Sequence, residues 1–170
     1  MKIYTGYYAK TDEYKKAGLV PISISGKPPD GWLSNENKWY KPLAPSWSIW
    51  KEYYTKPNEE RYIIRFSNEV LANLDPHTVL FDLKKISCLE TVFSDMEKSS
   101  DLEKLTDLEK LSNLNPDTVF SDLERLSDLK KLSDFKDIIL LCYEKPGKFC
   151  HRHIVGAWLQ KFHDDLITEY

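Results

Sequence analysis

The stretch from residue 136 to 162, KDIILLCYEKPGKFCHRHIVGAWLQKF, constrains this chain more than any other. Residues 137–143 are a short, nearly continuous apolar run rich in Ile and Leu, the pattern of a strand buried on both faces. Lys145-Pro146-Gly147 interrupts the run with a turn signal. From His151 the apolar period changes, and Ile154, Val155, Trp158, Leu159 and Phe162 fall on one helical face. The segment reads as strand, loop, helix. Cys142, Glu144, Cys150, His151 and Arg152 stand at its mouth. In open α/β sheets, ligands collect at the carboxyl ends of strands and the amino ends of helices.

The amino-terminal part supports the same architecture. Residues 2–8 read as a first strand, with Gly6 permitting close backbone approach. Residues 11–17 read as a helix stopped by Gly18, and residues 19–25 as a second strand closed by Gly26-Lys-Pro-Pro-Asp-Gly31. Residues 32–54 hold four of the five tryptophans. Large aromatics there can wall a pocket or stack on a base, or can pack a small core in a segment poor in aliphatics. Asn58 is a helix cap, followed by an apolar face of Tyr62, Ile63, Phe66, Val70 and Leu71.

The middle is repetitive. Leu71-Ala-Asn-Leu-Asp-Pro-His-Thr-Val recurs as Leu111-Ser-Asn-Leu-Asn-Pro-Asp-Thr-Val, each copy placing a capping residue (Asp75, Asn115) before a proline suited to the first helical position. Leu102, Leu105, Leu108, Leu111 and Leu114 recur every three residues. Three residues turn an α-helix by about 300°, so these leucines drift around the axis and form no coiled-coil seam. Short helices broken by capped turns are expected, as an insertion over approximately residues 88–127 of a single domain spanning 1–170. A tandem duplication tolerated at a surface explains the insertion. A lobe that binds a partner or a second copy of the chain is the alternative.

Composition narrows the function class. The formal net charge of −3 opposes a broad basic surface for nucleic acid, and no apolar run reaches 18 residues, so no membrane span is expected. The chain opens on residues that already read as a strand, and its three cysteines follow no disulfide framework; both features point to a cytoplasmic protein without a signal peptide.

Three chemistries compete at the strand–helix mouth. Metal binding has Cys142, Cys150, His151 and His153 to draw on, but residues two apart on a helix do not share a face; a zinc site would have to use Cys142, Cys150, His151 and a remote fourth ligand, so no metal or cofactor is expected. A nucleophilic cysteine is the second: Cys150 at a helix amino end beside His151, or Cys142 at a strand end. Two packed, reduced thiols are the structural alternative. Anion binding is the preferred reading, with first-turn amides and Arg152 holding a phosphate or carboxylate. Glu144 then orients the ligand or serves as acid/base, unless it only pairs with Arg152. Thr5, Tyr7 and Ser25 complete the pocket from neighbouring strand ends.

The stretch LLCYEKPGKFCHRHIVGAWL resembles the carboxyl-terminal signature of a bacterial and phage family known as domain of unknown function 488: a strand ending Cys-x-Glu, a short loop, and Cys-His-Arg opening a helix. KIYTGYYA, GLVPISISGKPP and YKPLAPSW look like the same subfamily. The resemblance implies a compact α/β fold and a polar pocket, with no activity attached. The family pattern carries one Leu-Asp-Pro helix leading directly to the Cys-x-Glu strand, and the repetitive segment departs from it. The expected fold is therefore α/β, a small, mostly parallel, Rossmann-like sheet flanked by helices, with strands at 2–8, 19–25, 138–143 and 167–170. The expected function is binding of a small anionic, nucleotide-like or otherwise phosphorylated ligand, with a homodimer as a further expectation.

Overall fold

The computed structural model describes residues 1–33, 37–98 and 135–170; over 88–98 only the helix backbone is described. Most of the repetitive segment, beyond residue 98, lies outside the described residues. Among the described residues, five strands form one sheet: β1 (Ile3–Tyr7), β2 (Val20–Ser23), β3 (Lys38–Trp39), β4 (Ile138–Cys142) and β5 (Thr168–Glu169), in the order β3-β2-β4-β1-β5. Every pairing is parallel. The register sets Tyr7 beside Cys142 and Ser23 beside Leu141, so β1, β2 and β4 end on the same edge.

The central position of β4 follows from its composition. Ile138 to Leu141 are all fully buried, because helices cover both faces of a parallel sheet. The two-residue side-chain period divides them. Ile138 and Leu140 join Ile3, Val20, Ile22 and the helices on one face; Ile139 and Leu141 join Tyr14, Leu19 and Trp32 on the other. Each such aliphatic side chain contributes about 1.5–3 kcal/mol by leaving water.

Five helices flank the sheet among the described residues: α1 (Thr11–Lys16), α2 (Trp47–Thr55), α3 (Glu59–Glu69), α4 (Pro76–Lys98) and α5 (His151–Leu159). Their boundaries are written locally. After α1, the amides of Gly18 and Leu19 donate to the carbonyls of Lys15 and Tyr14, closing its end as expected of that glycine. The Asn58 side chain accepts from the Arg61 amide at 2.9 Å to open α3. Asp75 accepts from the amide and hydroxyl of Thr78 (2.8 and 2.6 Å) to open α4, with Pro76 at its first position. No helix among the described residues is long and apolar enough to cross a membrane.

Several details differ from the sequence reading. β3 was not expected; its two residues at the sheet edge are too few to show a period. In α3, Tyr62 and Phe66 are buried but Ile63 stays 41 % exposed, off the core-facing stripe. In the aromatic segment, Trp32 and Tyr40 pack into the interior, while Trp47, Trp50 and Tyr54 stack along the outside of α2 at 4.8 and 5.1 Å. Gly6 serves packing: a Cβ there would lie 2.7 Å from Ile139 Cδ1 and 2.8 Å from Tyr14 Oη. Both neighbours are fully buried and have little room to retreat. Gly6→Ala is expected to destabilise the fold by about 1–3 kcal/mol, measured by urea denaturation. An unchanged midpoint would mean that Tyr14 can swing aside.

Candidate functional site at the carboxyl edge of the sheet

The β4–α5 connection builds the site. Lys148 donates its amide to the Lys145 carbonyl at 3.2 Å, and Gly147 adopts φ 77°. Pro146 and Gly147 thus occupy the two central positions of a tight turn, where a proline fixes the first φ and a glycine accepts the positive second one. The half-buried Phe149 then docks on Tyr53 and Tyr62 of α2 and α3, with ring centroids 5.2 and 5.3 Å away. That anchor fixes Cys150, whose extended backbone (φ −154°, ψ 141°) leads into α5.

The turn folds the start of α5 back over the end of β4. Cys142 Sγ lies 3.5 Å from His151 Nδ1, and Cys150 Sγ lies 3.9 Å from the same nitrogen. All three residues are buried. His151 Nε2 sits 2.9 Å from the Ile24 carbonyl at the end of β2. A carbonyl can only accept, so Nε2 carries the proton, and in the neutral ring the Nδ1 lone pair faces both sulfurs. Phe66 packs against the imidazole with centroids 5.6 Å apart.

Proximity separates the two thiols electrostatically. The neighbouring Cys142 thiol, joined by His151, holds Cys150 well below the ordinary thiol range despite its burial. Cys142 is pushed up by its contact with Cys150 and by burial. Burial also raises the Tyr62 hydroxyl, with the two cysteines adding to the effect.

Arg152 is fully buried, and its donors are engaged inside the protein. Nη2 and Nε donate to Glu169 Oε1 at 2.5 and 3.2 Å, and Nη1 donates to the Glu144 backbone carbonyl at 2.5 Å. The pairing of Arg152 with position 144 is therefore real, but it runs through the main chain, and the Glu144 carboxylate is exposed on the loop. The ionic partner is Glu169. Burial raises the Glu169 carboxyl, but the hydrogen bonds from Arg152 and His153 outweigh it and hold the group below the usual range.

Of the residues singled out in the sequence, Cys142, Cys150 and His151 come together, with Arg152 directly behind them. Tyr7 lies beside Cys142 in the sheet register. Thr5 is buried under α5, where a Cβ on Gly156 would sit 3.4 Å from its methyl group. Ser25 is buried with Ser23, and each hydroxyl lies 2.6 Å from Tyr8 Oη. Burial pushes Tyr8 up to about 12. His153 turns away from the thiols to Glu169, 3.1 Å off.

Sequence reasoning missed Glu169, the Ile24 carbonyl, Phe66 and Tyr8. The expected strand at 167–170 held the signal for Glu169, because a parallel neighbour of β1 brings its end to this edge. On the same edge, toward β3, a groove of about 320 Å³ runs between the loop after β2 and Trp39, walled by Pro28, Pro29, Trp32 and Leu33. Tyr143 ties this loop to β4 by donating to the Lys27 carbonyl at 2.9 Å.

Comparison with known proteins gives one family. The family model described as "Active DUF488-N3 subclade" matches residues 116–163, from the second copy of the repeat to just beyond α5. No curated protein and no solved structure matches the chain. The strand ending Cys142-x-Glu144 and the helix opening after Cys150 with His151-Arg152 both lie inside the matched residues, and the match supports assignment of this chain to the DUF488 family.

Proposed function

We propose that this chain is a pocket protein that holds a small anionic ligand, nucleotide-like or otherwise phosphorylated, at the carboxyl edge of its sheet. The observation that carries the reading is the convergence of Cys142, Cys150 and His151 where β4, β2 and the amino end of α5 meet. β1 runs into α1 on one face, while β4 runs into α5 on the other. Such a reversal between neighbouring strands opens a crevice, and crevices of this kind receive ligands in parallel sheets. The His151 amide in the first turn of α5 is offered to the anion, while the His153 amide already donates to the Cys150 carbonyl at 3.2 Å.

The roles of two residues shift from the sequence reading. Arg152, already bonded to Glu169 and the Glu144 carbonyl, acts by holding the β4–α5 loop rather than by gripping the ligand alone. Glu144, with its carboxylate in solvent, remains the group for acid/base work. The groove beside Trp39 suits a flat ring system, since an aromatic wall stacks on bases of any sequence.

Native against denaturing mass spectrometry on freshly purified protein tests the reading. A mass excess lost on denaturation, with a phosphorylated molecule released, is the expected result. No excess at any concentration, with a dimer mass in its place, would move the function to the repetitive lobe. Glu144→Gln is expected to retain that excess and to slow conversion of the released molecule; loss of the excess would make this carboxylate a binding group.

A further inference from the structure

We infer that Cys142, Cys150 and His151 form a three-ligand site for one thiophilic divalent ion of tetrahedral preference, Zn²⁺ above all. The ion is distinct from the anionic ligand proposed above. Four observations converge on it. The donor set is two sulfurs and one imidazole nitrogen, a combination that suits zinc and disfavours magnesium or calcium. The donor atoms all lie within 4.8 Å of one another. A tetrahedral ion with bonds of about 2.3 Å to sulfur and about 2.1 Å to nitrogen places those two donors about 3.6 Å apart. The sulfur–nitrogen distances of 3.5 and 3.9 Å bracket that edge.

The imidazole is also oriented for the task. Nε2 donates to the Ile24 carbonyl at 2.9 Å, which leaves Nδ1 as the free donor facing the sulfurs. Metal-ligating histidines are characteristically fixed in this way through their other nitrogen. Finally, the residues are 4–6 % exposed, so the three donors are shielded from bulk water before any ion arrives. The sequence argued against a metal because His151 and His153 cannot share a helix face. The fold resolves that objection by turning His153 to Glu169 and drawing Cys142 in from the strand.

Binding holds both sulfurs as thiolates: any S–H proton still carried by Cys142 or Cys150 passes to solvent as the ion binds, with no change of oxidation state. Three protein ligands leave one coordination position for water or for an oxygen of a bound anion, the arrangement of zinc sites that do chemistry.

The test is titration of full-length, reduced, metal-free protein with Co²⁺ alone. Expected are saturation at one equivalent with protons released as Co²⁺ binds, the d–d bands of a tetrahedral ion, a sulfur-to-cobalt charge-transfer band, and displacement by Zn²⁺ with no further proton release. Cys142→Ser and Cys150→Ser should each lose at least half of the charge-transfer intensity, and His153→Ala should retain all of it. Should a serine variant fail to fold, thiol alkylation of the wild-type protein decides: Zn²⁺ should slow labelling of Cys142 and Cys150 at least tenfold. No charge-transfer band, full intensity in either serine variant, unprotected thiols, or a Cys142–Cys150 disulfide in place of bound ion would each overturn the inference. The titration contains no anionic ligand, so its failure and a failure of the proposed ligand reading are separately visible.

Discussion

Arg152→Ala is expected to destabilise the fold by about 3–5 kcal/mol, the range for breaking a buried ion pair from one side. The guanidinium is fully buried and ties three elements together: α5 carries it, Glu169 of β5 binds Nε and Nη2, and the Glu144 carbonyl accepts from Nη1. Truncation leaves a cavity behind α5 and an unpaired carbonyl in the β4–α5 loop. Glu169 keeps 32 % of its side chain accessible and can rehydrate, which places the loss toward the lower end. Urea denaturation measures it; a loss below about 1 kcal/mol would mean that water already reaches the pair.

The pH dependence gives an independent check. Glu169 is held below its unfolded carboxyl value, so its contribution is present above the unfolded pKa and lost as pH falls through the folded one. The acid limb of the stability curve should therefore be shallower in Arg152→Ala, with little difference in slope near neutrality. An unchanged acid limb would assign the depressed carboxyl to His153 alone.

Phe66→Ala is expected to cost about 3–5 kcal/mol and, unlike most core truncations, to reach the site. Phe66 is fully buried, stacks on Tyr62 at 5.9 Å, and meets the His151 ring at 5.6 Å. Its removal opens space beside the imidazole, so the ring gains freedom to tilt. Thermal unfolding should show the loss of stability, and the environment of the His151 ring protons, followed by NMR, should change with it. A core loss with unchanged His151 signals would make Phe66 a packing residue only. Phe66→Leu, which retains most of the volume, is expected to recover most of the stability.

The elements of this fold were readable where a local pattern was complete. β4 announces itself as a run of four aliphatics, α5 as an abrupt change of period after Lys145-Pro146-Gly147, and α1 and α3 by Gly18 and Asn58 at their ends. β3 could not be read, because two residues at an edge carry no periodicity. The outward stack of Trp47, Trp50 and Tyr54 was equally invisible, since composition reports that aromatics are present and not which side of α2 they take. The assignment of Ile63 to the apolar face failed for a related reason: α3 buries a narrow stripe, and a neighbouring apolar position falls outside it.

The candidate site divides in the same way. That Cys142, Cys150, His151 and Arg152 lie near one another was determined by the sequence alone, because a strand, a short turn and a helix leave their mouth residues adjacent. Tertiary structure decided what each one faces. His151 reaches across to the carbonyl of a strand more than a hundred residues earlier, which selects its tautomer and aims Nδ1 at the thiols. Arg152 spends its donors on Glu169, contributed by the last strand, and on a main-chain carbonyl, while the carboxylate of Glu144 turns to solvent. Such partners are matched by sheet order and register. A pattern that repeats every two or four residues carries information about neighbours in the chain, and none about which distant strand will lie alongside.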